Sequence, residues 1–261
     1  MLSSQAASGL DSPVLTAALV AAQATAPEHG FRQRDVRFFA ELFGNWLEST
    51  AGAQAFHNTQ VLRCVHALAG VGWATRSGRK PPRWRLTSEG LVELLRRLVH
   101  RRDLMRLDEF FLVHHFLAAY GDRLRALAQR GGAMESRLLA VDLDEMLSPE
   151  TLLERERARV ARELARLQIR VEEARMTAQL ARRRLARGVP VADVVDEVQS
   201  HYPYELNSQR PLNELLSPLP ERWQREELTE ASERRANGLW GSQVELLRAY
   251  DGVLERLLAQ P

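Results

Sequence analysis

Between Ser148-Pro149-Glu150 and Gly188-Val189-Pro190 the chain passes from residue 150 to residue 187 without a glycine or a proline. A serine followed by a proline is a strong helix start, and Gly-Val-Pro is an equally strong stop. The run therefore predicts one helix of about 38 residues, ~57 Å long at 1.5 Å per residue, and a rod of that length commits the chain to a mainly α architecture. Within it Val160, Leu164, Leu167, Val171, Ala174, Ala178, Ala181 and Leu185 recur at alternating steps of four and three, the spacing of a coiled-coil seam. Alanine in the later positions lets backbones approach closely, which favours antiparallel or multi-helix packing. Val160, Leu164, Leu167, Val171, Ala174 and Ala178 are the expected dimerisation residues, and the same seam suits a hairpin closed within one chain.

The N-terminal half carries a different signal. Arg76 to Arg85, Arg-Ser-Gly-Arg-Lys-Pro-Pro-Arg-Trp-Arg, holds five cations, two prolines and a glycine between two short segments that alternate as strands. Trp84 and Leu86 should point inward on the return strand, opposite Arg83 and Arg85. The prolines suit an exposed tip that must not pair with another strand. Before it, Val36, Phe39, Leu42, Phe43, Trp46 and Leu47 mark one buried face of a helix over 35–48, and Thr50 to Phe56 makes a turn or a short second helix. Asn58 caps a third helix with a buried face of Val61, Val65 and Leu68 and an end at Gly70 and Gly72. The order helix, strand, basic tip, strand, helix is that of a winged helix-turn-helix, with a small β-hairpin as its wing.

Charge supports that reading locally. The whole chain has a formal net charge of only +2, yet residues 31–106 hold 14 Lys or Arg against 6 Asp or Glu. A basic head on a mildly acidic body predicts that any polyanion is bound by the head. On the third helix Thr59, Gln60, Arg63 and His66 face away from the buried stripe and are the expected base-reading residues. Arginine pairs bidentately with guanine, glutamine with adenine, and threonine touches the thymine methyl. Arg76, Arg79, Lys80, Arg83 and Arg85 of the wing are the expected backbone contacts. If about four of them neutralise phosphates, affinity falls with salt at a log–log slope of roughly −3.6.

The stretches Asn58-Thr59-Gln60-Val61 to Gly72-Trp73 and Arg83-Trp84-Arg85-Leu86-Thr87-Ser88-Glu89-Gly90 resemble the winged-helix domain of PadR-like and PaaX-like bacterial transcriptional regulators over about residues 35–105. In the closing stretch Thr87 stands as the helix cap and Glu89 in the first turn. The resemblance implies a dimeric, cytoplasmic DNA-binding regulator. It does not extend past about residue 130, so no effector site comes with it.

The expected organisation is an arm and docking helix over 1–30, a winged-helix DNA-binding domain over 31–106, connecting helices over 107–147, the coiled-coil helix over 148–188 and a C-terminal helical region over 189–261. Val14 to Ala26 is apolar and alanine-rich, but it is too short for a bilayer and lacks the preceding cations of a secretory signal. Ser88–Arg102 should close the head's core through Leu91, Leu94, Leu95 and Leu98, leaving Arg96, Arg97, Arg101 and Arg102 exposed. Gly131-Gly132 marks a hinge, Tyr202 and Tyr204 belong to an irregular connector, and the last helix bends near Gly238–Gly241.

Cys64 is the sole cysteine, which excludes an internal disulfide and a thiolate cluster and fits a cytoplasmic location. His114 and His115 are adjacent and diverge by about 100° on a helix, so they do not form a chelating pair. No phosphate-binding loop, nucleophile elbow or zinc-protease pattern occurs, and Asp142, Asp144 and Glu145 suit caps and surface charge. Neither catalysis nor a metal or cofactor is expected. The leading expectation is a regulator that binds double-stranded DNA as a homodimer on a two-fold-related operator. The alternative is a winged-helix scaffold or docking subunit of a larger chromosome-organising or defence complex, with a protein partner.

Overall fold

The computed structural model describes residues 12–46, 58–78, 80–129, 143–201 and 216–259. It is mainly helical with a small two-stranded antiparallel sheet. The chain divides into two compact units, Met1–Glu156 and Arg157–Pro261, and the division falls inside the long helix.

The first unit is built around its N-terminal helix. α1 (Pro13–Thr25) starts at Ser12, whose hydroxyl accepts the Leu15 N–H at 3.5 Å, with proline in the first turn. Every residue from Leu15 to Ala24 is buried. A helix that is apolar all round has no face to give to water and must lie inside; each fully buried Leu or Val contributes about 1.5–3 kcal/mol. α2 (Gln33–Trp46), α4 (Ser88–Val99) and α5 (Leu107–Gln129) pack against it. Pro13–Thr25, expected as a docking helix, thus lies in a core that α2, α4 and α5 share. Thr16 and Gln23 are the buried polar residues of α1, and the Gln23 side-chain oxygen accepts the Leu86 N–H at 2.8 Å, which satisfies both groups.

Asp35 folds back in the first turn of α2 to accept the Arg32 N–H at 2.7 Å. Val36, Phe39, Ala40 and Phe43 then face inward, and Phe43 meets Phe116 of α5 edge-on at 5.9 Å. Trp46, expected on this face, is 40% exposed and covers Phe43 from the rim. The expected turn and short helix over 50–56 and the Gly131-Gly132 hinge lie outside the described residues. After α3 (Asn58–Gly70), β1 (Ala74–Arg76) pairs with β2 (Trp84–Leu86), Ala74 opposite Leu86 and Arg76 opposite Trp84. Phe31 adds one antiparallel bridge to Trp84 from the other side, with reciprocal bonds of 2.8 Å. The spatial order is therefore Phe31, β2, β1.

In the second unit α6 (Pro149–Ala186, whose first turns belong to the first unit) spans the predicted 38 residues. It ends where Val189 N–H bonds Arg184 and Gly188 N–H bonds Leu185, the paired 6→1 and 5→2 closure that glycine permits. α7 (Val191–His201) follows, then α8 (Glu221–Arg234), a π-helical turn over Arg235–Leu239 and α9 (Trp240–Leu258). The π turn falls beside the break or bend expected near Gly238–Gly241, and a widened turn of this kind is one of the identifiable causes of a kink. Tyr202 and Tyr204 lie outside the described residues.

The coiled-coil seam closes within the chain, one of the two arrangements its spacing allows. Val160, Leu167, Ala174 and Ala178 are buried within the chain. Leu167 and Ala174 form a core with Ala236, Trp240 and Val244, and Leu164 and Val171 pack against it. Ala181 joins the four valines of α7 and Leu228 in a second core. Arg157 reaches Asp251 at 3.9 Å and Glu255 at 3.0 Å, whereas Arg182 pairs with Glu233, so α8–α9 runs antiparallel to α6. Of the six residues expected at a dimer interface, Leu164, Leu167, Val171 and Ala174 thus pack in an intramolecular hairpin, the arrangement this seam also suits. The physical reason is volume: alanines at 174 and 181 leave room for Trp240 and Leu228 at native packing density.

Candidate nucleic-acid interface

α3 offers the polar face that the sequence marks out. Val61, Cys64, Val65 and Leu68 are buried, whereas Thr59, Gln60, Leu62, Arg63 and His66 are exposed. Cys64, absent from the predicted buried stripe, completes it. Burial pushes its thiol up to about 12, against a smaller opposing effect of the Arg97 guanidinium. It is therefore a packing residue at neutral pH.

The C-terminus of α3 is tied to the sheet and to α4 by a continuous set of bonds. Gly72 takes φ +82°, and Trp73 N–H bonds Leu68 at 2.8 Å while Gly72 N–H bonds Ala69 at 3.2 Å. The Thr87 N–H then bonds the Trp73 carbonyl at 3.0 Å, its hydroxyl donates to the Gly72 carbonyl at 3.0 Å and accepts the Gly90 N–H at 3.1 Å. Thr87 is thus the α4 cap, as expected, and Glu89 sits in the first turn. A Cβ on Gly90 would overlap the Trp73 carbonyl, so only glycine lets α4 approach this closely. Arg97, expected to be exposed, lays its guanidinium 5.3 Å from the Trp73 ring centroid and bonds Glu93 at 3.2 Å. Arg101, likewise expected to be exposed, is half-buried in a 2.7 Å pair with Glu109.

Trp84 connects α3 to the hairpin. Its indole is 2% exposed; the His66 ring meets it edge-on at 4.9 Å and the Arg76 guanidinium lies 5.6 Å from its centroid. A residue of the α3 outer face and a cation of β1 are thereby held on one aromatic platform. At the tip the Ser77 N–H donates to the Arg83 carbonyl at 2.8 Å, and the Arg83 N–H donates to the Ser77 hydroxyl at 3.0 Å.

The five hairpin cations divide into groups. Arg85 donates from Nε and Nη2 to the Pro27 carbonyl at 3.2 and 2.7 Å, and from Nη2 to the Glu28 carbonyl at 2.8 Å. Arg83 donates to the Gly30 carbonyl at 3.1 Å. Both guanidiniums hold the α1–α2 loop against β2, beside the Phe31–Trp84 bridge. Arg76 rests on Trp84, Lys80 is exposed at the tip, and Arg79 lies outside the described residues. Sequence reasoning missed the loop: one apolar residue after Gly30 is too short to register as a strand, and carbonyl acceptors leave no trace in side-chain pattern.

Elsewhere in the first unit, His114 on α5 is held below its ordinary value, chiefly by burial and then by His115, with Glu150 opposing. Among the described residues no group of three or more His, Cys, Asp or Glu could hold a metal ion. No helix among them is long and apolar enough to cross a membrane. Comparisons with protein-family models, with curated proteins and with solved structures each give no match.

Proposed function

We propose that the first unit is a winged-helix module that binds double-stranded DNA, with α3 in the major groove and the β1–β2 tip against the phosphodiester backbone. In this reading α1, the Phe31 bridge, α2, α3, β1, the tip, β2 and α4 follow the element order of winged helices. Thr59, Gln60, Arg63 and His66 face base edges, and Arg76, Arg79 and Lys80 face phosphates. The chain then acts as a sequence-specific transcriptional regulator, in the manner of the PadR-like and PaaX-like proteins that residues 35–105 resemble.

The observation that carries the reading is the Trp84 platform, because it fixes the outward face of α3 and the cationic strand in one frame. A helix and a tip that address one duplex must be rigid with respect to each other. With Arg83 and Arg85 engaged by carbonyls, about three hairpin cations remain for phosphates, and the salt slope of affinity becomes roughly −2.7.

A gel shift with the DNA upstream of the chain's own gene tests this. Wild-type protein should retain one fragment against excess unrelated DNA, and Arg63→Ala should abolish that preference while leaving weak, salt-sensitive retention. Equal retention of all fragments by wild type and variant would sink the reading.

The closure of the α6 seam within one chain favours a second reading, a docking subunit of a larger assembly. Two heads on a two-fold-related operator have to be joined by a surface other than that seam. Co-purification of a stoichiometric partner, with no fragment preferred in the gel shift, is the outcome this second reading expects.

A further inference from the structure

Opposite its buried seam α6 carries three exposed apolar side chains. Ile169, Met176 and Leu180 are 61%, 62% and 41% exposed. At about 100° per residue they fall within a ~40° arc, opposite the buried seam, and exposed Ala165 joins them. A solvent-facing stripe is normally polar, and scattered single apolar residues need no explanation. These fall on one line about 16 Å long, with Glu172 and Glu173 at the turn between Ile169 and Met176.

Its charges are ordered. Arg162 and Arg166 precede the apolar line, Arg183 and Arg187 follow it, and Glu172 and Glu173 occupy its middle; all six are exposed. Arg166 is only loosely held by Glu163, at 3.8 Å. The face thus reads positive, negative, positive along ~38 Å.

That order argues against a second copy as the occupant. An antiparallel pairing that sets Ile169 over Met176 also sets Arg162 over Arg183 and Glu172 over Glu173. A parallel pairing in register sets every charge against itself. Like charges at flanking positions are the usual device for excluding a helical partner. An anionic membrane surface is disfavoured as well, because it would press two carboxylates into the interface at the centre of the apolar line.

We propose that this face docks an amphipathic helix of a different protein, apolar at its a and d positions, acidic toward both ends and basic in the middle. The inference is independent of whether α3 reads DNA.

The test uses the full chain and two synthetic helical peptides of about four heptads, one with glutamate ends and a lysine centre, the other with those charges inverted. Fluorescence anisotropy should show binding of the first peptide that weakens with salt, and at least tenfold weaker binding of the second. Ile169→Glu combined with Met176→Glu should lower affinity for the first peptide at least tenfold, with circular dichroism and melting unchanged because both side chains face water. Arg162→Glu with Arg183→Glu should reverse the preference between the peptides.

Failure to bind either peptide, equal affinity for the two, or indifference to the double substitution overturns the proposal. So does sedimentation of the wild-type chain as a dimer that the Ile169/Met176 variant dissociates, since a second copy would then be the occupant. Retention on phosphatidylserine vesicles, lost in the same variant, would assign the face to a membrane and likewise overturn it.

Discussion

Arg85 illustrates how a cation beside a basic tip can be engaged by the fold itself. Its guanidinium donates three bonds to the carbonyls of Pro27 and Glu28. A hydrogen bond to a charged group is worth about 1.5–3 kcal/mol where water is excluded, but Arg85 is exposed and water competes for the same carbonyls. A total of about 1 kcal/mol for Arg85→Ala is therefore expected, or ~2–4 °C in the melting of a domain of this size. The first unit's transition should be followed by calorimetry, since the two units need not melt together. The salt slope of DNA affinity should hardly change in this variant. Lys80→Ala should do the opposite, leaving melting unchanged and reducing the slope by about 0.9. Arg85→Lys keeps the charge but loses the planar fork, so it should melt like the alanine variant and keep the wild-type slope. If Arg85→Ala cost about 0.9 of slope with no loss of stability, the guanidinium would face phosphate in solution and the argument from the carbonyls would fail.

Three further outcomes follow from the packing. Gly90→Ala forces a methyl into the Trp73 carbonyl and should destabilise the first unit by about 2–4 kcal/mol; Cys64, buried and with its thiol up to about 12, should become reactive toward a disulfide reagent at pH 8 in this variant while the wild-type thiol stays slow. Leu167→Ala should cost about 2–5 kcal/mol with a melting temperature independent of protein concentration; a concentration-dependent midpoint would restore the seam to a dimer. His114 titrates below its unfolded value chiefly through burial, so the folded state resists its protonation, its contribution to stability is present above about pH 6.5 and declines as pH falls below that value; His114→Asn should flatten urea-derived stability between pH 7 and pH 5, and an unchanged pH profile would contradict the assignment.

The parts of the fold that were legible are those whose signal is local. Ser148-Pro149 and Gly188 bracket a helix because capping and left-handed closure are properties of a few adjacent residues. Thr87 and Gly90 were placed for the same reason, as were the four valines of α7. What pattern could not supply is which of two compatible partners a surface takes. α1 had no polar face, and that alone determines burial, yet its length suggested an arm because nothing local names the helices that surround it. Arg83 and Arg85 alternate outward correctly, but their acceptors are main-chain carbonyls more than 50 residues away in sequence, and carbonyls are invisible to any side-chain pattern.

The α6 seam shows how such a choice is decided. A four–three repeat states only that a partner helix exists; it is silent on whether that helix lies in the same chain. The choice here follows from the distribution of volume, since a stripe that shrinks from Leu and Val to Ala needs a partner that grows from Leu247 and Val244 toward Trp240, and α9, antiparallel to α6, supplies that gradient. The charges agree with it: Arg157 finds Asp251 and Glu255 at one end while Arg182 finds Glu233 toward the other. Two copies of α6 facing each other in parallel would instead set alanine against alanine over its last turns, where the small side chains bury less apolar surface than the Trp240 ring does. Among the described residues the intramolecular hairpin is therefore the arrangement in which volume and charge are both matched.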